Sequence, residues 1–213
     1  GFKIAKRQTP EPVVISLAGL VGSGKSSVAH ELAKYIGGTV IFGDDIRVLL
    51  RKKRLPFDNA ATIRENIARY VLSKGGTVVL DADAVEPQRR EEVKQFTRRL
   101  SVRHFFLRVH ADRDVMIGRV IMGKYGHKDF FGGADSTWRG KPVLRGAIVK
   151  LREMWRRTPH HYSWNSEAGG DWILKSLPFP LFATIDTTDE RKWKTEVAKV
   201  AERIINAKDT SIE

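Results

Sequence analysis

Residues Gly19 to Ser26 read Gly-Leu-Val-Gly-Ser-Gly-Lys-Ser, a glycine-rich segment that runs straight into a lysine and a serine. Its flanks restrict what it can become. Upstream, Val13, Val14 and Ile15 with Leu17 and Ala18 form a short apolar run; downstream, Val28, Ala29, Leu32, Ala33 and Ile36 recur on one face of a helix. Strand, glycine loop and helix in direct succession gather several backbone N–H groups at a helix N-terminus. Glycine makes this feasible because it accepts positive φ and leaves no Cβ between peptide and anion.

The spacing Gly-x4-Gly-Lys-[Ser/Thr] in this context fits the oxygens of a nucleoside triphosphate. Gly22, Ser23 and Gly24 offer loop peptides, with Ser26 and Ser27 opening the helix. Lys25 is expected to bridge the β and γ phosphates, and the Ser26 hydroxyl to ligate Mg²⁺. The competing reading is an ordinary glycine-rich strand-to-helix turn; the lysine, the serine and both flanks weigh against it.

Length and composition bound the rest. A chain of 213 residues with 41% hydrophobic content suits one α/β domain. Residues 1–12 read as a basic, proline-containing extension, 13–206 as the domain, and 207–213 as a tail. There is no cysteine, which excludes disulfides and thiolate zinc sites. With no apolar run suited to a signal peptide or a membrane span, the expected location is cytoplasmic. The formal charge is +13, and the stretch Arg89 to Arg157, with 18 basic and 7 acidic residues, carries +11 of it. Such a field attracts polyanions, so this stretch is either a nucleic-acid-binding surface or a solvated basic face with arginines serving ATP. Oligomeric state is not legible.

Further strands are expected at Thr39 to Phe42, Thr77 to Leu80, Val102 to Val109 and Leu181 to Ile185. Helices are expected around Ile46 to Leu50, over Ala60 to Val71, after Pro87, over about Asp112 to Met122, from Pro142 through Trp155, and around Trp193 to Ile204. Tyr70 is counted on the apolar face of its helix, as are Leu144, Ala147, Ile148, Leu151, Met154 and Trp155 on theirs. Between Gly123 and Lys141 the chain is rich in glycine and charge, carries Phe130 and Phe131, and reads as part of a lid over about 123–160. Thr158 to Pro180 shows little periodicity. Alternating strands and helices imply a mostly parallel sheet covered on both faces, with ligands at the carboxyl ends of its strands. Asp44, after the second strand, either caps the next helix or faces a substrate. Asp81, ending the third, either caps or holds Mg²⁺, with Asp83 as its substitute. His160 and His161, with His127 upstream, read as surface histidines.

No Asn-Lys-x-Asp occurs and Asp81 is not followed by x-x-Gly, which sets GTPases aside; the length leaves little room for the sensor subdomain of a ring ATPase. The glycine loop, Gly43-Asp44-Asp45-Ile46-Arg47, and Leu80-Asp81-Ala82-Asp83 followed by Glu86-Pro87-Gln88-Arg89-Arg90 together resemble the small P-loop kinases. That group includes adenylylsulfate, gluconate and shikimate kinases, and the nearest likeness is to the kinase domain of phage-type polynucleotide 5′-kinase. The resemblance covers roughly the first 110 residues. It implies an α/β P-loop NTPase fold, a five-stranded mostly parallel sheet flanked by helices, and a basic lid. It also implies ATP and Mg²⁺ as cofactors, Asp44 as base, Arg47 as acceptor clamp, and Arg119 with Lys124 near the migrating phosphate. Lys124 stands where that pattern has an arginine, and it lacks the planar fork. The acceptor expected first is a polynucleotide 5′-hydroxyl. The alternatives are a small metabolite (sugar acid, nucleoside or adenylylsulfate) or a nucleotide-dependent nucleic-acid-binding or regulatory ATPase.

Overall fold

The computed structural model describes residues 4–81, 83–125, 137–138, 141–142 and 146–207. In chain order these form β1 (Val13–Ala18), α1 (Lys25–Ile36), β2 (Gly38–Phe42), α2 (Gly43–Lys52), a 3₁₀ turn (Phe57–Asn59; a second follows at Glu167–Gly169), α3 (Ala60–Ser73), β3 (Thr77–Asp81) and α4 (Pro87–Arg99). The second half adds β4 (Arg103–His110), α5 (Arg113–Ile121), β5 (Thr137–Trp138), β6 (Lys141–Pro142), α6 (Gly146–His161), β7 (Tyr162–Asn165), β8 (Asp171–Leu174), β9 (Ala183–Asp186) and α7 (Trp193–Asn206).

Five strands make one sheet in the order β2-β3-β1-β4-β9, every pair parallel. β1 is central and all six of its residues are buried, which explains its unbroken apolar character. Its side chains alternate between two cores: Val13, Ile15 and Leu17 pack with α1 and α7, while Val14 joins Val78, Leu80 and residues of α2, α3 and α4. A third cluster, with Leu20, Met116, Val120, Met154 and Tyr162, binds α5 and α6 to the loop after β1. No helix among the described residues is long and apolar enough to cross a membrane.

Ser16 and His104 meet inside the second layer, with Oγ and Nε2 2.8 Å apart. Burial, helped by the charge of Lys94, pushes the His104 imidazole down to about 4 from 6.5. Between those values the unfolded chain takes up a proton that the native chain refuses, so stability falls as pH drops through that window. The expected loss across it is roughly 3 kcal/mol. Thermal melts of the wild type and His104→Gln between pH 4.5 and 7 check this: the wild type should lose more stability on acidification, and parallel curves would refute it.

Several expectations change. α2 begins at Gly43 with Phe42 as its cap residue and no side-chain cap bond, so Asp44 lies inside the first turn and does not cap. Pro142 sits in β6, paired antiparallel with β5, and α6 begins only at Gly146. Tyr70 and Ile148 are exposed, since the helices carrying them bury narrower faces than their apolar patterns allow. Trp155 is also 57% exposed. Its ring serves the guanidinium of Arg113, which lies 4.9 Å from the Trp155 centroid, 5.4 Å from Trp172 and 5.7 Å from Tyr162, buried and without a hydrogen-bond partner among the described residues. The aperiodic stretch after α6 is a small hairpin, β7 with β8, in which Trp164 and Trp172 meet edge to face. His161 is not on the surface: it is 1% exposed. Much of the expected lid, including His127, Phe130, Phe131, Arg139, Leu144 and Arg145, lies outside the described residues.

Candidate active site

β1 delivers the glycine loop to the carboxyl edge of the sheet, and α1 leaves it at Lys25. Gly22 and Gly24 have φ of 86° and 84°, the left-handed values that the loop needs to turn its peptides inward. α1 has no side-chain cap and no acidic residue in its first turn. Its leading N–H groups and positive dipole end are thus left to an external anion. The Lys25 ammonium curls back over the loop and donates to Gly19 O at 2.6 Å and Leu20 O at 3.1 Å. Ser23 is fully buried and takes part through its backbone: its carbonyl accepts from Thr187 Oγ1 at 2.8 Å.

The neighbouring strands bring in the carboxylates. β3 runs beside β1, and its last residue, Asp81, accepts a hydrogen bond from Ser26 Oγ at 2.6 Å. Phe42 pairs in register with Asp81, so the chain entering α2 carries Asp44 to the same edge. Arg47, one turn on, donates to Asp44 Oδ1 at 3.0 Å. One cleft of about 940 Å³ is lined by Gly22, Gly24, Lys25, Ser26, Ser27, Asp44, Arg47, Asp81, Arg119 and Lys124. The expected site residues other than Ser23 therefore converge on it, although they are spread over more than a hundred positions of sequence.

Two placements qualify the expected roles. Arg119 donates to Thr187 Oγ1 at 2.9 Å, to Thr187 O at 2.6 Å and, at 3.5 Å, to Gly22 O. Its guanidinium thus braces the loop against the turn after β9 while bordering the cleft. Asp83 does not stand in for Asp81: it is 7% exposed and spends its oxygens on Gly19 N, Val85 N, Arg157 and His161. Burial works to raise the Asp83 pKa, but the His161 hydrogen bond and the charges of His161, Lys25 and Arg157 outweigh it and hold the carboxyl well below the usual range. Thr187 was not foreseen, although a threonine just past the last strand is where this topology places a neighbour of the loop.

Ser26 and Asp81 are hard oxygen donors side by side, which suits Mg²⁺ completed by phosphate oxygens and water. Among the described residues no group of three His, Cys, Asp or Glu side chains could hold a metal on its own. The donor set therefore fits a cation that arrives with a nucleotide.

A parallel five-stranded sheet with this loop at the end of its central strand defines the P-loop NTPase fold of the small kinases. The chain belongs to the AAA domain family, whose model matches residues 14–124, from β1 to the lysine after α5. Among curated proteins none matches it. Among solved structures the chain is similar to an APS kinase of Mycobacterium tuberculosis in complex with AMPPNP and APS, at 18% identity and a TM-score of 0.56, over 91% of this chain and 99% of that one. It is also similar to a gluconokinase of Sinorhizobium meliloti 1021, at 15% identity and a TM-score of 0.52, over 91% and 94%. At these identities the likeness speaks to the fold. The resemblance to polynucleotide 5′-kinase rests on its short segments alone.

Proposed function

We propose that the protein is an ATP-dependent kinase that transfers the γ-phosphate to a hydroxyl of a small anionic metabolite. The observation that carries this reading is the Asp44–Arg47 pair, which shares a single cleft with Lys25 and Ser26. Phosphoryl transfer requires an oriented alcohol, an acceptor for its proton and cations around a loose transition state. Asp44 receives the proton of the attacking hydroxyl. Arg47 holds the acceptor's anionic group, and Lys25 with the loop peptides and the start of α1 takes the charge of the migrating phosphoryl. Ser26 and Asp81 would hold Mg²⁺, which when bound screens the phosphate charge.

A cleft of about 940 Å³ accommodates a nucleotide and one small co-substrate. Arg51, Arg89 and Arg152 border it as well, so the acceptor's chemistry is that of an anion. The kinases similar in fold are named for adenylylsulfate and gluconate, both of that kind. The +11 carried by Arg89 to Arg157 favours a second reading, in which the hydroxyl is the 5′ end of a polynucleotide.

Labelled ATP incubated with a panel of anionic small alcohols and, separately, with 5′-hydroxyl oligonucleotides decides between them. Label is expected in at least one small alcohol and not in the oligonucleotide. Transfer only to the oligonucleotide overturns the metabolite reading, and hydrolysis without transfer to either overturns the kinase.

A further inference from the structure

Behind the glycine loop lies a buried polar cluster that the proposed chemistry does not use. Asp83 follows β3, yet two of its four hydrogen-bond partners come from α6, more than seventy positions later. One oxygen, Oδ1, accepts from Gly19 N at 3.3 Å and Val85 N at 3.3 Å. The other, Oδ2, accepts from His161 Nε2 at 3.1 Å and Arg157 Nη1 at 3.2 Å, both on the last turns of α6.

Each end of this cluster is secured. On the helix side, Arg157 also binds Glu153 at 2.7 Å and Glu86 at 3.5 Å, and the His161 carbonyl accepts from Arg108 at 3.0 Å and from Lys175 N at 2.9 Å. On the loop side, the peptide whose N–H Asp83 receives belongs to the residue whose carbonyl receives Lys25 Nζ at 2.6 Å. A continuous line of hydrogen bonds therefore runs from α6 through one carboxylate and one glycine to the lysine that faces the nucleotide. α6 is also the wall that places Arg152 and Arg157 on the cleft.

A buried carboxylate is costly unless its partners are in place, so such a cluster has sharply preferred geometry. The apolar cluster that joins Met154 of α6 to Leu20 holds the two together but permits sliding. The directed hydrogen bonds of one carboxylate to Gly19, Arg157 and His161 do not.

We propose that Asp83 is a positioning residue that registers α6 against the glycine loop, so that the α6 wall of the cleft and the Lys25 end move as one body. This rests on the nucleotide-binding part of the proposed function and not on the identity of the acceptor. His161 and Arg157 act through Asp83, and a change at either is felt at Gly19 without touching it.

A double-mutant cycle on the full chain tests this, read by calorimetric affinity for a non-hydrolysable ATP analogue with magnesium and by amide hydrogen exchange at Gly19. His161→Gln alone is expected to weaken the analogue about tenfold, a size typical of neighbours in one network, and to speed exchange at Gly19. In the Asp83→Asn background the same change is expected to cost about twofold or less. If His161→Gln does not fold, Arg157→Gln, at the cleft side of the cluster, takes its place in the cycle. Additive losses in the two backgrounds, or unchanged Gly19 exchange in a folded single variant, overturn the proposal. Failure of the wild type to bind the analogue would sink the kinase reading instead, while the exchange measurement would still report whether the coupling exists.

Discussion

Lys25→Met is expected to lower turnover by roughly 10³-fold, the scale seen when a preorganised group aimed at developing transition-state charge is removed. The structure explains why a loss this large need not come from unfolding. The Lys25 ammonium makes its two bonds to carbonyls of its own loop, Gly19 O and Leu20 O, and reaches α6 only indirectly, through Gly19 and the Asp83 carboxylate that its charge favours. Methionine keeps the length of the stem and its packing but cannot donate. The fold should therefore melt within a few degrees of the wild type while both transfer and affinity for the triphosphate fall. Comparing ATP with AMP by calorimetry separates the two effects, because only the longer phosphate chain reaches the ammonium. An enzyme that keeps full turnover after this change does not use the loop as described.

Asp44→Asn is the second large effect, with an expected fall in transfer of about 10²- to 10⁴-fold, the range that a positioned base supplies. The substitution is close to isosteric, and Asp44 lies half-exposed at the start of α2 with Arg47 as its partner, so little else changes. ATP affinity is expected to stay within about twofold, since the loop and its helix are untouched. KM for the acceptor should rise modestly as Arg47 loses a charged neighbour, whereas kcat takes most of the loss. Single-turnover mixing with labelled ATP measures this directly. Equal losses in ATP binding and in transfer would place Asp44 on the nucleotide side and leave the base unassigned.

How far the residues announced this arrangement differs from element to element. The five strands of the main sheet were legible as short, largely apolar runs, although Arg103, His104 and Arg108 interrupt β4, and the glycine loop needed only its flanks. The convergence of Asp44 and Asp81 was legible too, since parallel strands deliver their carboxyl ends to one edge. α6 was harder: its apolar spacing predicted a broad buried face with Ile148 and Trp155 on it, whereas Trp155 is turned to Arg113, a cation–π contact that leaves no periodic trace. His161 was misread as a surface residue for a related reason. Its partner, Asp83, lies 78 positions earlier, and nothing local to either residue marks the pairing. The hairpin of β7 and β8 escaped because four-residue strands are too short for alternation to emerge from noise.

The hydroxyl of Thr187, just past β9, donates to Ser23 O and so ties the glycine loop to a residue 164 positions further along the chain. Without that residue in place Arg119 lacks its bonds to Thr187 Oγ1 and Thr187 O, and Gly24 has no wall behind it, although Met116 still backs Gly22. The loop that the proposed function assigns to a nucleotide is therefore braced in full only when β9 and the turn after it have docked on the sheet.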